Sequence, residues 1–159
     1  MNIIEEFESN GIECNLGASN WHVDHGTAAI YPPATDEMIE WACLEAKAEF
    51  PPALVSLLKS TNGCFFKKLT LFGIPVSLFE GKGLSRGQLQ PQSITTANRA
   101  WRVNYKAPNE AVMVGSIQGW SENTGLFMMP SGQCVKINSS GISAPFQLTE
   151  KLRALAENA

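Results

Sequence analysis

The chain has 159 residues, of which 44% are hydrophobic and 17% charged, and its formal net charge is −3. That length fits one domain better than two, and the composition excludes intrinsic disorder. So small a net charge gives no indication of nucleic-acid binding. No apolar run approaches the roughly 20 residues that span a bilayer. The first eleven residues carry three glutamates and no basic residue, unlike a secretory signal. We therefore expect a soluble, cytoplasmic protein.

The first predicted element is a short helix over residues 2–9, ended by Asn10-Gly11. Apolar residues then alternate with polar ones in 21–23 and in 28–30, which predicts a small hairpin with Asp24-His25-Gly26 at its tip. Pro32-Pro33 follows and breaks the chain.

Two helices are predicted next. Thr35 is a good N-cap for the first, which we expect to run to about Phe50. Pro51-Pro52 ends that helix and opens the second, because proline is tolerated at the first helical position. Leucines recur at helical spacing within residues 54–61, and Asn62-Gly63 closes the helix with glycine in the left-handed C′ position.

The rest of the chain predicts mostly strands. In order, we expect a strand at 69–71, a loop at 80–92, a helix at 94–105, a strand at 111–116, a hairpin of 126–129 with 134–137, and a closing helix capped by Thr149. Helices followed by strands favour an α+β fold over a parallel doubly wound sheet.

Few side chains in the sequence are spaced as in a metal site or a catalytic site. His22, Asp24 and His25 form the only cluster that resembles a metal site, but the chain holds no other histidine, and solvated turn residues explain them. Cys64 follows a predicted helix C-terminus, where the helix dipole disfavours a thiolate, so a buried, inert cysteine is the better interpretation. The four cysteines form no regular framework and are interpreted as reduced thiols. We predict no catalytic residue, metal or cofactor.

Two further motifs have ordinary explanations. The glycine-rich segment 81–87 lacks the spacing of a phosphate-binding loop and is interpreted as a surface loop. Trp101-Arg102 and Tyr105-Lys106 place aromatic residues beside basic ones, which could stack bases of single-stranded nucleic acid. Both aromatics, however, lie on the apolar stripe of their helix, which favours core packing.

The charges are segregated along the chain. Residues 1–50 contain ten carboxylates and one lysine, whereas residues 51–106 contain eight basic residues and one glutamate. Two interpretations remain open: the two segments neutralise each other across the fold, or the acidic segment forms a face for a basic partner.

Several segments, taken in order, resemble the pattern of the SUKH (Smi/Knr-like) superfamily. They are Phe50-Pro51-Pro52-Ala53-Leu54 with Leu57-Leu58 and Asn62-Gly63, then Leu69 to Gly73, Asn98 with Trp101, Val112 to Ser116, Gly125 to Gly132, and Phe146 to Leu155. Cys64 stands where a second glycine is common in that family. Residues 1–34 have no counterpart in the pattern, so we treat them as an N-terminal extension packed on a SUKH-like domain of residues 35–159.

The resemblance implies a single α+β domain in which a twisted, mainly antiparallel sheet packs against several helices. It also implies protein binding, because bacterial members are similar to immunity proteins that neutralise polymorphic toxins, often nucleases or deaminases. We expect a monomer or weak dimer that binds a cognate protein toxin, such as a basic nuclease or deaminase domain, and that binds neither nucleic acid directly nor a membrane. The alternatives are a regulatory scaffold without a toxin partner and a small metal-dependent enzyme using His22, His25 and a cysteine. The candidate partner-binding residues are Asp24, Asp36, Glu37, Glu40, Trp41 and Trp120.

Overall fold

The computed structural model describes residues 2–16, 27–76, 92–104, 108–121 and 123–157. Within these residues, the helices are α1 (Ile3–Ser9), α2 (Asp36–Ala46), α3 (Pro52–Ser60), α4 (Ile94–Asn104) and α5 (Leu148–Glu157). The strands are β1 (Glu13–Leu16), β2 (Thr27–Ile30), β3 (Cys64–Phe66), β4 (Leu69–Leu71), β5 (Val112–Ile117), β6 (Gly125–Met128), β7 (Cys134–Asn138) and β8 (Gly141–Ile142).

The strands form one open sheet whose spatial order follows the chain, from β1 to β8. β1 and β2 are parallel, and every other neighbouring pair is antiparallel. Five helices pack with this sheet in the described part of the chain, which confirms the predicted α+β class with a mainly antiparallel sheet. The hairpin of β6 and β7 is also confirmed, with Met128 opposite Cys134 across the turn.

The beginning of α2 is as predicted, but its end is not. The Thr35 hydroxyl accepts a hydrogen bond from the Met38 backbone N–H at 3.2 Å, as an N-cap does. The helix ends at Ala46 rather than near Phe50, because Lys47 adopts a left-handed conformation with φ of 51°. The N–H groups of Lys47 and Ala48 then bond back to the carbonyls of Leu44 and Cys43, a Schellman ending with lysine in the place usually held by glycine.

Helix α3 begins at Pro52 as predicted and buries Leu54, Leu57 and Leu58. Its ending differs from the prediction, because Thr61 is already extended and Gly63 lies beyond the C-cap. Gly63 does have a positive φ of 90°, and a Cβ there would come within 2.8 Å of the Leu71 carbonyl oxygen. Glycine is therefore needed for the turn into β3 rather than for closing the helix.

The second arm of the predicted N-terminal hairpin is a strand, β2, and its two edges pair with β1 and β3. Residues 21–26, the predicted first arm and tip, lie outside the described residues, as do residues 80–91 of the predicted loop. The predicted cap of the last helix is wrong, because Thr149 lies inside α5, which begins one residue earlier.

Most buried side chains form one main core, to which all five helices of the described chain contribute. A second cluster forms where Trp101 of α4 packs edge-on against Phe127, with ring centroids 4.9 Å apart. Strand β6 is buried along its whole length, because Leu126 and Met128 point into the main core while Phe127 points into the second cluster. The prediction that Trp101 is a core residue is therefore confirmed, whereas Tyr105 lies outside the described residues.

Two buried asparagines complete the backbone hydrogen bonding around this core. The Asn62 amide bonds both the N–H and the C=O of Ile74, at 2.7 and 2.8 Å. The Asn98 amide does the same for Met113, at 2.8 and 3.0 Å, next to an irregularity in the pairing of β5 with β6. Each asparagine side chain therefore makes the pair of hydrogen bonds that the backbone of a neighbouring strand would make, so these backbone groups have partners.

Candidate functional site

Helix α2 carries four of the six candidate partner-binding residues, Asp36, Glu37, Glu40 and Trp41. Glu37 and Glu40 are exposed, and neither forms an ion pair within the described residues. Asp36, in contrast, contacts Lys59 of α3 at 2.6 Å, so its charge is already compensated inside the fold. Two of the three carboxylates are therefore available to an external partner.

Trp41 and Leu44 place apolar surface among these acids. Trp41 is half-buried and packs partly against the main core. Leu44, one helical turn further along, has 74% of its surface exposed, which makes it the most exposed large hydrophobic residue of the described chain. A leucine on a solvent-facing helix surface finds no core to pack against, so its burial must come from a partner if it comes at all.

The spacing of Glu37, Trp41 and Leu44 is four and three residues, which puts them on one side of the helix. We call this surface, with Glu40 beside it, the α2 outer face. Leu44 was missed in the sequence analysis, although one signal for it existed. It is an apolar residue that falls outside the stripe formed by Ile39, Ala42, Cys43 and Ala46.

Two ion pairs join the acidic segment to the basic one. Asp36 lies 2.6 Å from Lys59, and Glu45 lies 3.9 Å from Arg99, so the second pair links α2 to α4. These four side chains are between 43% and 84% exposed, so each pair contributes at most about 1 kcal/mol to stability. Glu37 and Glu40, on the exposed surface of α2, are in no ion pair of the described residues, and their use as a face for a basic partner stays a prediction.

Trp120 lies apart from the α2 outer face. It follows β5, and Gln118 just before it donates to the carbonyl of Lys68 in the turn between β3 and β4. The chain enters α2 from the other end of the sheet, since Ile30 at the end of β2 pairs with Cys64 at the start of β3. Trp120 is half-buried, and the ammonium of Lys136 lies 5.2 Å from its ring centroid.

Asp24, the sixth candidate, lies outside the described residues, as do His22 and His25.

Burial favours the protonated forms of three thiols and of one tyrosine hydroxyl. Burial raises the pKa of Cys64, which is fully buried at the start of β3, and raises the pKa of Cys134 to about 12. Burial also raises the pKa of Cys14. A thiol must ionise to act as a nucleophile, so these cysteines are unsuited to that role, and the interpretation of Cys64 as a buried residue is confirmed. Within the described residues, no group of three or more His, Cys, Asp or Glu side chains is arranged to hold a metal ion.

We expect stability to fall at alkaline pH. Burial raises the pKa of Tyr31 from 10.0 to about 12, and its hydroxyl has no hydrogen-bond partner in the described structure. The unfolded chain therefore loses the Tyr31 proton at a lower pH than the folded chain does. The stability that this group contributes is complete below pH 10 and is lost as the pH rises towards 12. Cys134 acts in the same direction from about pH 9. Each such group lowers the free energy of unfolding by about 1.4 kcal/mol per pH unit in its window.

Urea denaturation at several values between pH 8 and 11.5 measures this effect. The matched variant is Tyr31→Phe, which removes the hydroxyl without changing the ring. It should be at least as stable as the unchanged protein at pH 8, because no hydrogen bond is lost, and should lose less stability above pH 10. Equal losses in the two proteins would contradict the assignment to Tyr31.

A cleft lies beyond the C-terminal end of α2 and begins at Ala48, two residues after that helix ends. Its volume is about 230 Å³. It lies between the connection from α2 to α3, the turn before β5 and the turn between β6 and β7. Its lining residues are Ala48, Glu49, Phe50, Pro51, Pro52, Asn109, Glu110 and Pro130. The lining is about equally polar and apolar, and it includes two carboxylates and one amide.

Among the helices that the structure describes, none has the length and apolar character needed to cross a bilayer. No protein-family model and no curated protein matches the chain.

Proposed function

We propose that this chain is a non-catalytic protein-binding module, an immunity protein that neutralises a cognate polymorphic toxin by binding it through the α2 outer face. The observation that carries the proposal is the surface of α2 itself. Leu44, with 74% of its surface exposed, and the half-buried Trp41 lie on the same helix as Glu37 and Glu40, whose charges have no partner in the described chain.

An apolar patch with a charged rim is the usual composition of a protein-binding surface. Tryptophan is among the residues that most often dominate binding energy, and the neighbouring leucine extends the area from which water is excluded. Free carboxylates at the rim accelerate association with a basic partner and disfavour acidic ones. Nuclease toxins have basic surfaces because they bind phosphates, so the charge of this face suits such a partner.

The sequence resemblance to the SUKH superfamily supports the same proposal, because bacterial members of that family are similar to immunity proteins. The resemblance is associational, whereas the α2 outer face gives a physical reason for binding. The two arguments are independent, since Leu44, Trp41 and the free carboxylates are not among the residues that carry the resemblance.

Co-expression tests the proposal. The chain is expressed together with the toxin candidate encoded next to its own gene, and growth is compared with that of cells expressing the toxin candidate alone. We expect growth to be restored and the two proteins to co-elute in size-exclusion chromatography, with an affinity that falls as salt is raised. A toxin candidate that remains toxic and elutes separately would refute the immunity function. A stable complex without protection would indicate a regulatory scaffold instead.

A further inference from the structure

The cleft beside Ala48 is a preformed feature of the fold. The Phe50 side chain is only 5% exposed and forms its floor together with the buried Pro51. Pro130, on the opposite wall, belongs to a turn closed by a 2.8 Å hydrogen bond from the Gly132 N–H to the Met129 carbonyl. That turn is packed so tightly that a Cβ at position 132 would lie 3.1 Å from the Ala53 Cβ. A ligand therefore need not order these walls when it binds.

The carboxylates of the cleft are not compensated by an ion pair within the described residues. Glu49 and Glu110 are both exposed, and the ion pairs of the described chain involve other acids. A 3.0 Å hydrogen bond from the Ala111 N–H to the Pro108 carbonyl closes the turn that carries Glu110, so this residue is held at the cleft. The cleft therefore combines apolar walls with two free negative charges and the amide of Asn109.

We propose that this cleft binds an arginine side chain of the partner protein. The aliphatic stem of arginine covers apolar surface while its charged end stays in water, which matches proline and phenylalanine walls below two exposed carboxylates. Its planar guanidinium has five donors and binds carboxylates in a bidentate manner. Lysine fits less well, since its compact ammonium is strongly hydrated and offers no planar fork.

The inference deepens the proposed function and rests on it, because the partner must supply the arginine. The cleft begins at Ala48, two residues after the end of α2, so one partner can cover both surfaces. Apolar contact at Trp41 and Leu44 would then be accompanied by a specific polar contact just beyond the end of the same helix. Such a contact fixes the register of a partner on a helix surface more strictly than apolar contact does.

N-acetyl-arginine amide is the probe for a direct test, and N-acetyl-citrulline amide is its uncharged isostere. Each compound is titrated into the isotope-labelled full chain and followed by amide chemical shifts. We expect the arginine compound to shift the amides of Ala48, Glu49, Phe50, Asn109 and Glu110 with saturation in the millimolar range, and citrulline to bind at least about fivefold more weakly. Equal binding of the two compounds, shifts confined to other residues or no saturation would overturn the inference.

Two double variants sharpen the result. Glu49→Gln with Glu110→Gln removes both cleft charges, whereas Glu8→Gln with Glu157→Gln removes two exposed charges elsewhere and changes the net charge equally. The cleft variant should bind the arginine compound about fivefold more weakly, and the control variant should match the unchanged protein. Equal binding by both variants would refute the role of the cleft carboxylates.

The outcomes also separate this inference from the proposed function. If the cleft variant binds the partner protein as tightly as the unchanged chain, while changes on the α2 outer face abolish the complex, the arginine site is wrong and the function stands. If no partner complex forms at all, the proposed function fails, and the inferred partner arginine fails with it, whatever the small compound does.

Discussion

Replacing Asn98 with alanine should lower the free energy of unfolding by about 3–4 kcal/mol, the largest loss of stability that we expect from one polar residue. Asn98 is fully buried, and its amide is at the centre of four hydrogen bonds. Its Oδ1 accepts from the Trp101 indole and from the Met113 N–H, each at 2.8 Å. Its Nδ2 donates to the carbonyls of Ile94 and Met113.

The expected cost is large because alanine removes all four of these hydrogen bonds from a buried site. The Met113 N–H loses its bond to the Asn98 amide oxygen, and a buried donor or acceptor that is left unsatisfied costs about 1–3 kcal/mol. The Trp101 indole loses its acceptor while its ring stays packed on Phe127. The change should therefore loosen the contact between α4 and β5 as well as the second cluster around Trp101.

Chemical denaturation of both proteins measures the loss. The matched control is Asn138→Ala, which removes a partly exposed asparagine that accepts one hydrogen bond from the Ser140 N–H. It should cost less than about 1 kcal/mol. Asn98→Asp is a second test, since aspartate keeps the acceptor for Trp101 but cannot donate to Met113 and buries a charge. A loss for Asn98→Ala as small as that of the control would contradict the argument.

Replacing Leu44 with aspartate should weaken binding to the toxin partner by about 100-fold, which corresponds to about 2.7 kcal/mol, while leaving the fold intact. The side chain is 74% exposed, so the change should alter the free energy of unfolding by no more than about 0.5 kcal/mol. The added negative charge can only favour a basic partner at long range. A loss of affinity must therefore come from the apolar contact.

The chain offers a matched control at the other exposed large hydrophobic residue of the described structure. Ile142, in the edge strand β8, has 50% of its surface exposed. Ile142→Asp introduces the same chemistry away from α2 and should leave the affinity within about twofold. Isothermal titration calorimetry of the complex with each variant compares them directly. If the Ile142 variant loses binding and the Leu44 variant does not, the partner docks on the sheet edge and the α2 outer face is wrong.

The elements that could be predicted from sequence are those whose first residues favour a helix start by themselves, without any contact to the rest of the chain. Thr35 supplies a side-chain cap, and Pro52 suits the first turn of a helix, so the beginnings of α2 and α3 were found. The end of α2 was not predicted, because Lys47 adopts the left-handed conformation there, and lysine, unlike glycine, does not indicate a helix end. The Thr149 cap failed for a related reason, since an N-cap residue also occurs inside a first turn.

The short strands β1 and β3 could not be predicted, because their stability comes from neighbours that are distant in sequence. β1 (Glu13–Leu16) has no alternation strong enough to identify it, and it is held by parallel pairing with β2. β3 spans only three residues and is fixed by pairing with β2 and β4. Tertiary pairing decides such segments, and local propensity does not.

The candidate site was predicted in part. The acidic residues and Trp41 were identified from charge and from the rarity of exposed tryptophan, and they share helix α2. The sequence could not reveal that Asp36 is paired with Lys59, since that contact joins two helices. Nor could it reveal the cleft, because Glu49 and Glu110 are 61 positions apart in the chain.

A nascent chain can build this sheet from one edge to the other as it leaves the ribosome. Each strand pairs with the one synthesised just before it, so no late strand has to insert between two earlier ones. The last helix, in contrast, contacts an early part of the chain. The carbonyls of Leu155 and Ala156 near its end accept hydrogen bonds from the ammonium of Lys67, in the turn between β3 and β4. Final closure of the molecule therefore waits for α5, and an incomplete chain would expose the apolar surface that this helix covers, where chaperones bind.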